Sequence, residues 1–343
     1  MTLFRKDISR RKILRRLLTY SHLPRFLLGK ITSTSMGFGS FKTICQNTGI
    51  PLCSVVGAVN ATSPISVGIV AKCYARPVEI ANTLIFQVGN AFIHFGALLV
   101  FLMIIFNIRS KYTAIGRSEL LSYYYLNIVL AICSLVVDCG VSPPSTSSYP
   151  YFVAVQLGVS SAVCMCLLYN GIVCFQFWED GLRKSLLAMW VVTALWFVVN
   201  FIVALITFKS WGTSLNNRTT TTLFVVTYVL NAVILAVYVI SQLILVFFAL
   251  DSYWYLGAIF MFSFFFVVGQ VLLYVFNNQI CEGTSHYTDG KFFATVCNLF
   301  ANMMVYKFWD MITTEDLEFS VANVEQGVAA FGDHEKRYSL YLN

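Results

Sequence analysis

The sequence predicts an all-α, polytopic membrane protein: a bundle of seven transmembrane helices with a lumenal N-terminus and a cytosolic C-terminus. Three observations lead to this reading. Of 343 residues, 58% are hydrophobic and only 11% charged, against about 25% charged in ordinary globular domains, and the mean hydropathy is +0.73. After residue 80 come seven apolar segments, each near or above the roughly 18 residues that cross a hydrocarbon core as a helix. Basic residues are spread unevenly over the short loops between those segments, which orients the bundle.

Residues 1–35 form an Arg-rich extension almost free of acid. Nine basic residues against Asp7 give residues 1–30 a net +8, so the rest of the chain sums to −1 of the overall +7. Leu and Ile at loose helical spacing in RRKILRRLL resemble a transit peptide or a surface-lying amphipathic helix. The other reading is that Met36 is the true start and that residues 1–35 are disordered or dispensable. Because the basicity belongs to this extension, no folded module offers the basic face with aromatic stacking groups that nucleic acid requires. Nucleic acid is therefore not expected as a partner.

Residues 36–80 are mixed in polarity and read as a small lumenal cap. They hold Cys45, Cys53, Cys73, Pro51, Pro64 and a glycosylation sequon at Asn60-Ala61-Thr62. The run from Ile50 to Ala71 is mildly apolar, but two prolines and several hydroxyl side chains argue against a spanning helix.

The transmembrane domain, residues 81–310, contains segments at Thr83–Ile108, Leu120–Val137, Tyr151–Phe177, Ser185–Phe208, Leu223–Leu250, Trp254–Phe276 and Phe292–Trp309. Aromatic residues gather at their ends, among them Tyr123, Tyr149, Trp178, Trp211 and Trp254, as interfacial anchors do. One face carries Arg109, Lys111, Arg117, Arg183 and Lys184 in short loops; the other carries Lys209, Arg218 and Lys291. Five against three places the cap in the lumen and, after seven crossings, the C-terminus in the cytosol. The sequons at Asn60 and Asn217 then fall on the lumenal side, where glycosylation occurs. So do Cys45, Cys53, Cys73, Cys139 and Cys281, where oxidation occurs. Five cysteines allow at most two bridges within the set, and their connectivity is open. The remaining five sit within apolar runs as small buried hydrophobes.

Residues 311–343 read as an acidic cytosolic tail. It contains Asp316-Leu317-Glu318, an acidic-x-acidic triplet of the form that vesicle coat adaptors read, or else simply a solvated flank.

Nothing in the chain assembles a catalytic, metal or cofactor site. The apolar segments hold neutral amides such as Asn90, Asn127, Gln156, Asn200, Asn231, Gln242, Gln270 and Asn302, which ordinarily pack helices together. His94 has no carboxylate in its own segment, and Cys164 with Cys166 lacks zinc-ligand spacing. An enzyme is therefore not expected. A seven-helix receptor or a small-solute transporter remains the alternative class, by helix count alone.

Several long motifs point further. KYTAIGRSE (111–119), VVDCGVSPP (136–144) with SYPYFVA (148–154), CYAR (73–76) with ANTLIF (81–86) and VGNAFI (88–93), QICEG (279–283), and MMVYKFWDM (303–311) with DLEF (316–319) occur in order. Over roughly Gly37–Ser320 the chain resembles the fungal chitin synthase export chaperone family. The resemblance implies a seven-helix protein of the endoplasmic reticulum membrane that helps a chitin synthase fold and leave that compartment, in support of chitin synthesis and cell wall formation. It implies no catalysis, no catalytic residues and no cofactor. Its implied partner is the chitin synthase client, in the lipid bilayer; vesicle coat adaptors are expected only through the acidic triplet at Asp316 and Glu318. A surface rich in amides and small residues would be one way to cover the polar helices of such a client.

Overall fold

A computed structural model describes residues 39–57, 68–80, 83–112, 114–144, 146–175, 183–212, 216–217, 219–248 and 254–313. The basic extension, the sequon at Asn60 and the Asp316 to Glu318 triplet lie outside the described residues.

The cap begins with α1 (Lys42–Asn47) and a 3-10 turn at Pro51–Ser54, followed by a short antiparallel hairpin of β1 (Val78–Ile80) and β2 (Thr83–Ile85), with Val78 opposite Ile85. Six helices long and apolar enough to cross a membrane come next: α2 (Val88–Ser110), α3 (Arg117–Asp138), α4 (Tyr149–Val173), α5 (Arg183–Lys209), α6 (Thr221–Phe248) and α7 (Trp254–Tyr274). A short α8 (Asn277–Gly283) follows. Residues 290–313 form a further helix, α9, which contains the last predicted segment.

The helices form because their backbone polar groups are satisfied internally while their side chains are apolar on nearly every face, as lipid requires. Pro150 sits in the first turn of α4, where a missing N–H costs nothing. Large apolar groups such as Phe92, Phe106, Leu187 and Phe248 point outward, where a hydrocarbon solvent and not water must receive them. Inside, Phe101, Ile105 and Ile108 of α2 pack with Tyr123 and Tyr124 of α3, Leu167 of α4, Met189 of α5, Tyr238 of α6, Phe262 of α7, and Val305 and Trp309 of α9. A second cluster joins Phe41, Leu52, Val55 and Val56 of the cap to Val137, Tyr149, Val153, Phe208 and Leu223 at one end of the bundle.

Two glycines set close approaches. A Cβ on Gly171 of α4 would lie 2.7 Å from Gln242 Nε2 and 2.8 Å from the Tyr238 ring of α6, so a small residue is needed where these helices touch. Gly39 has φ +85° and lies against Thr221, whose hydroxyl-bearing neighbour Thr220 donates to the Gly39 carbonyl at 3.0 Å.

The structure corrects several boundaries. Thr83–Ile85 is a strand and the first spanning helix starts at Val88, so the cap extends past residue 80. The β-branched and aliphatic residues of Val78–Ile80 and Thr83–Ile85 favour paired strands there over a first helical turn. Helix α9 continues to residue 313, beyond the expected start of the tail. The segment around Leu223 is interrupted by a π turn at Val225–Val229, and α8 was not anticipated, since its polar sequence NNQICEG has no spanning character.

Candidate functional site

The cap is bound to the bundle by covalent and polar ties. Disulfides join Cys45 to Cys53 and Cys73 to Cys281. The first closes the loop that carries the 3-10 turn; the second connects the cap to α8 across 208 residues. Asn277 Nδ2 donates to the Asn47 carbonyl at 2.6 Å, Gln87 Nε2 to the Gly49 carbonyl at 3.2 Å, and the Tyr149 hydroxyl to the Pro51 carbonyl at 3.3 Å. Phe41 meets Phe224 and Tyr228 edge-on, with centroids 5.6 and 5.5 Å apart. Asn217 is half-buried, and its Oδ1 accepts the Gly57 N–H at 2.7 Å, which ties that sequon to the cap. Cys139, which caps α3, is a thiol outside both bridges. Burial pushes its ionisation up, and the adjacent Asp138 carboxylate adds to the effect.

His286 Nδ1 lies 3.3 Å from Cys73 Sγ and 3.6 Å from Cys281 Sγ. The three residues have ligand spacing for a metal. Because the two sulfurs are bonded to each other, they are not the thiolates that a metal binds.

Beneath the cap lies a buried ionic cluster that the sequence did not disclose. Asp138, at the end of α3, is 2% exposed. Its carboxylate receives Lys291 Nζ from α9 and Asn90 Nδ2 from α2, and lies 3.5 Å from His94 Nε2. Thr295 donates to Asn90 Oδ1 at 2.6 Å and extends the network along α9. The partner missing from the segment of His94 thus comes from another helix. The N-termini of α2 and α9 also converge here, so their dipoles favour the carboxylate. Next to the cluster, Asp289 accepts the Phe292 N–H at 3.1 Å and Gln87 Nε2 at 3.3 Å. Burial pushes the Asp289 carboxyl above its ordinary range, although Lys291 pulls the other way.

A matching clasp closes the opposite end of α9. Asp310 binds Lys111 Nζ and, at 3.1 Å, Lys307 Nζ, while Trp309 Nε1 donates to the Ile115 carbonyl at 2.8 Å. Helix α9 is therefore pinned at both ends to the α2–α3 pair. Lys307 and Asp310 form the i,i+3 pair that their spacing suggests, with Lys111 added from the chain beyond α2.

Between the clasps the amides turn inward. Asn231 Nδ2 donates to Ser161 Oγ at 2.7 Å, Ser161 donates to Asn200 Oδ1 at 3.0 Å, and Trp196 Nε1 donates to Asn231 Oδ1 at 3.2 Å, so α4, α5 and α6 share one chain of bonds. The Tyr124 hydroxyl donates to the Asn302 carbonyl at 2.8 Å, and Gln242 Nε2 to the Gly171 carbonyl at 3.3 Å. Asn90, Asn127, Asn200, Asn231 and Gln242 are all buried among the protein's own helices. The expectation that such amides would cover a client's polar helices is thus not met by these five; Asn90, Asn200, Asn231 and Gln242 join helices of the bundle, each such bond contributing about 0.6 to 2 kcal/mol, while Asn127 bonds the Tyr123 carbonyl of its own helix.

Comparison with known proteins places this arrangement. Residues 37–323 match the family model described as chitin synthase export chaperone. The chain is 66% identical over 309 residues to the chitin synthase export chaperone of Debaryomyces hansenii, covering 90% of this chain and 100% of that one. It is 64% identical over 310 residues to the Candida albicans protein of the same name, with 90% and 100% covered. With the Saccharomyces cerevisiae protein the identity is 48% over 307 residues, covering 85% and 97%. No solved structure matches.

Proposed function

Given that this chain belongs to the chitin synthase export chaperone family, we propose that it is a client-specific chaperone of the endoplasmic reticulum membrane, which assists the folding and export of a chitin synthase and so supports cell wall formation. The observation that carries this reading is the family match over residues 37–323, which takes in the whole described bundle and cap. The family is one of chaperones and not of enzymes. In the proposed topology α9 is the seventh crossing, the cap lies in the lumen and the tail lies in the cytosol. Two independent features support that orientation: the basic residues favour the loops opposite the cap, and both disulfides lie on the cap side, as bonds formed in an oxidising compartment would.

With the buried amides committed internally, client contact falls to the apolar outer faces of the helices or to the cap. A chitin synthase helix approaching in lipid would be held by close packing and few hydrogen bonds. The triplet Asp316 to Glu318, cytosolic in this topology, is the proposed adaptor signal. The test is to image a tagged chitin synthase in a deletion strain complemented with the intact chain or with Asp316→Ala/Glu318→Ala. Retention of the synthase in the endoplasmic reticulum without the chaperone is the expected result. Normal arrival at the cell surface in the deletion strain overturns the chaperone reading; normal export with the double variant overturns only the adaptor signal.

A further inference from the structure

A cavity of about 380 Å³ opens between α3, α4, α6 and α9, at the end of the bundle away from the cap. Its size is that of small-molecule sites, which commonly lie between the helices of bundles and join an apolar wall to a few convergent polar groups. Leu120, Leu167, Leu245, Val305, Phe308 and Ile312 make up much of the wall.

Two polar side chains on that wall have unused hydrogen-bonding capacity. The Tyr238 hydroxyl of α6 makes no hydrogen bond among the described residues, although the residue is only 6% exposed. A tyrosine hydroxyl so deeply placed normally finds a partner. It is not sealed inside the protein, as the unpartnered oxygens of Thr193 and Ser263 are, so a ligand can touch it. Asn170 of α4 gives its Nδ2 to the Cys166 carbonyl at 2.8 Å and leaves Oδ1 unbonded and likewise within reach. The two groups belong to one stretch of wall, because the Tyr238 ring packs against Gly171, the residue next to Asn170, where α4 and α6 approach closely.

The wall restricts what can be held there. No described lining residue carries a charge, and burying an uncompensated charge is costly, so the ligand is neutral. Water needs two to four polar partners per molecule; the Tyr238 and Asn170 pair could hold one, but the leucines and valines beside it could not hold more. A plain hydrocarbon chain suits the leucines and leaves the polar pair unmet, which is also costly. The pair itself offers a hydroxyl that donates or accepts and an amide oxygen that only accepts. A single ligand hydroxyl meets both, accepting from Tyr238 and donating to Asn170.

We propose that this cavity binds a neutral membrane alcohol, a lipid whose hydroxyl sits between Tyr238 and Asn170 and whose hydrocarbon body lies along the apolar wall. The surrounding bilayer is its source. The site is separate from the client surface, and the proposal stands whether or not the chain exports a synthase. The test is equilibrium binding to the purified full chain in phosphatidylcholine nanodiscs, read by melting temperature. The probes are dehydroergosterol, a fluorescent sterol also read by energy transfer from tryptophan because Trp309 lines the cavity, and hexadecanol, a chain alcohol. Saturable binding of at least one alcohol is expected. Its methyl ether, which has no proton to donate, and its anionic sulfate ester should each bind about fivefold or more weakly. Tyr238→Phe should weaken the alcohol by about as much while leaving the ligand-free melting temperature unchanged, since the hydroxyl makes no hydrogen bond within the described protein. Bulk lipid in the cavity only, with no saturable binding of either alcohol, overturns the proposal. So does an ether or sulfate that binds as tightly as the alcohol, or a Tyr238→Phe protein that binds like the parent.

Discussion

Replacing Asp138 by Ala removes the acceptor on which three helices converge. Its side chain is 1% exposed and that of Lys291 13%, so after the substitution the ammonium is left in a poorly hydrated site with its carboxylate gone, and Asn90 Nδ2 loses its acceptor. Breaking a buried ion pair from one side costs about 3 to 5 kcal/mol, or roughly two to three and a half decades in the folded-to-unfolded ratio. Replacing both partners, as in Asp138→Leu/Lys291→Met, exchanges the pair for apolar groups of similar volume, and such exchanges are often neutral. The double variant should therefore be more stable than Asp138→Ala by at least about 1.5 kcal/mol. Titration of the purified protein from mild into denaturing detergent, followed by tryptophan fluorescence, measures both quantities. An Asp138→Ala protein within about 1 kcal/mol of the parent would refute the reasoning, because the cluster would then not hold α2, α3 and α9 together. A double variant no better than the single one would do the same for the claim that the unpaired lysine is the source of the cost.

Two other outcomes follow from the same geometry. With ten cysteines in the chain and four in the two bridges, the denatured but unreduced protein should take up six maleimide groups and the reduced protein ten, by mass spectrometry; ten in both conditions would remove the staples from the cap. Asp289 has its carboxyl raised above 3.8 in the folded state, so the folded form binds this proton more tightly than the unfolded one, and the resulting stabilisation is present below the unfolded value and lost as pH rises through the folded one. At pH 7 the ionised group is thus a cost, and Asp289→Asn, which keeps an acceptor for the Phe292 N–H but gives up the one for Gln87 Nε2, should melt close to the parent temperature. Asp289→Ala, which loses the helix cap, should lose about 1 kcal/mol; if Asp289→Asn destabilises as much as Asp289→Ala, burial is not what governs this group.

Much of the architecture was legible because lipid imposes a one-dimensional rule. A helix in hydrocarbon satisfies its backbone within its own segment, so length and hydropathy alone located the helices to within a few residues at most ends. Long motifs at matched spacing identified the family for a similar reason, since each is a local string. The cysteines could be grouped by the side of the membrane on which their loops fall, yet not paired, because which loops approach one another is a property of the packed bundle. Cys73 and Cys281 are 208 residues apart and become neighbours only when α8 meets the cap.

Where the sequence failed, the missing information was long-range. His94 read as isolated because its carboxylate belongs to α3, and the burial of Asp138 depends on Lys291 arriving from α9. The amides read as helix glue, which Asn90, Asn200, Asn231 and Gln242 are, but no periodicity reveals that Asn231, Ser161 and Asn200 form one chain while Asn127 bonds only its own helix. Composition and hydropathy determined that this protein lies in a membrane as a helical bundle. Tertiary structure alone decided which polar groups hold that bundle together, because hydrogen bonds and ion pairs between helices depend on packing that no single segment encodes.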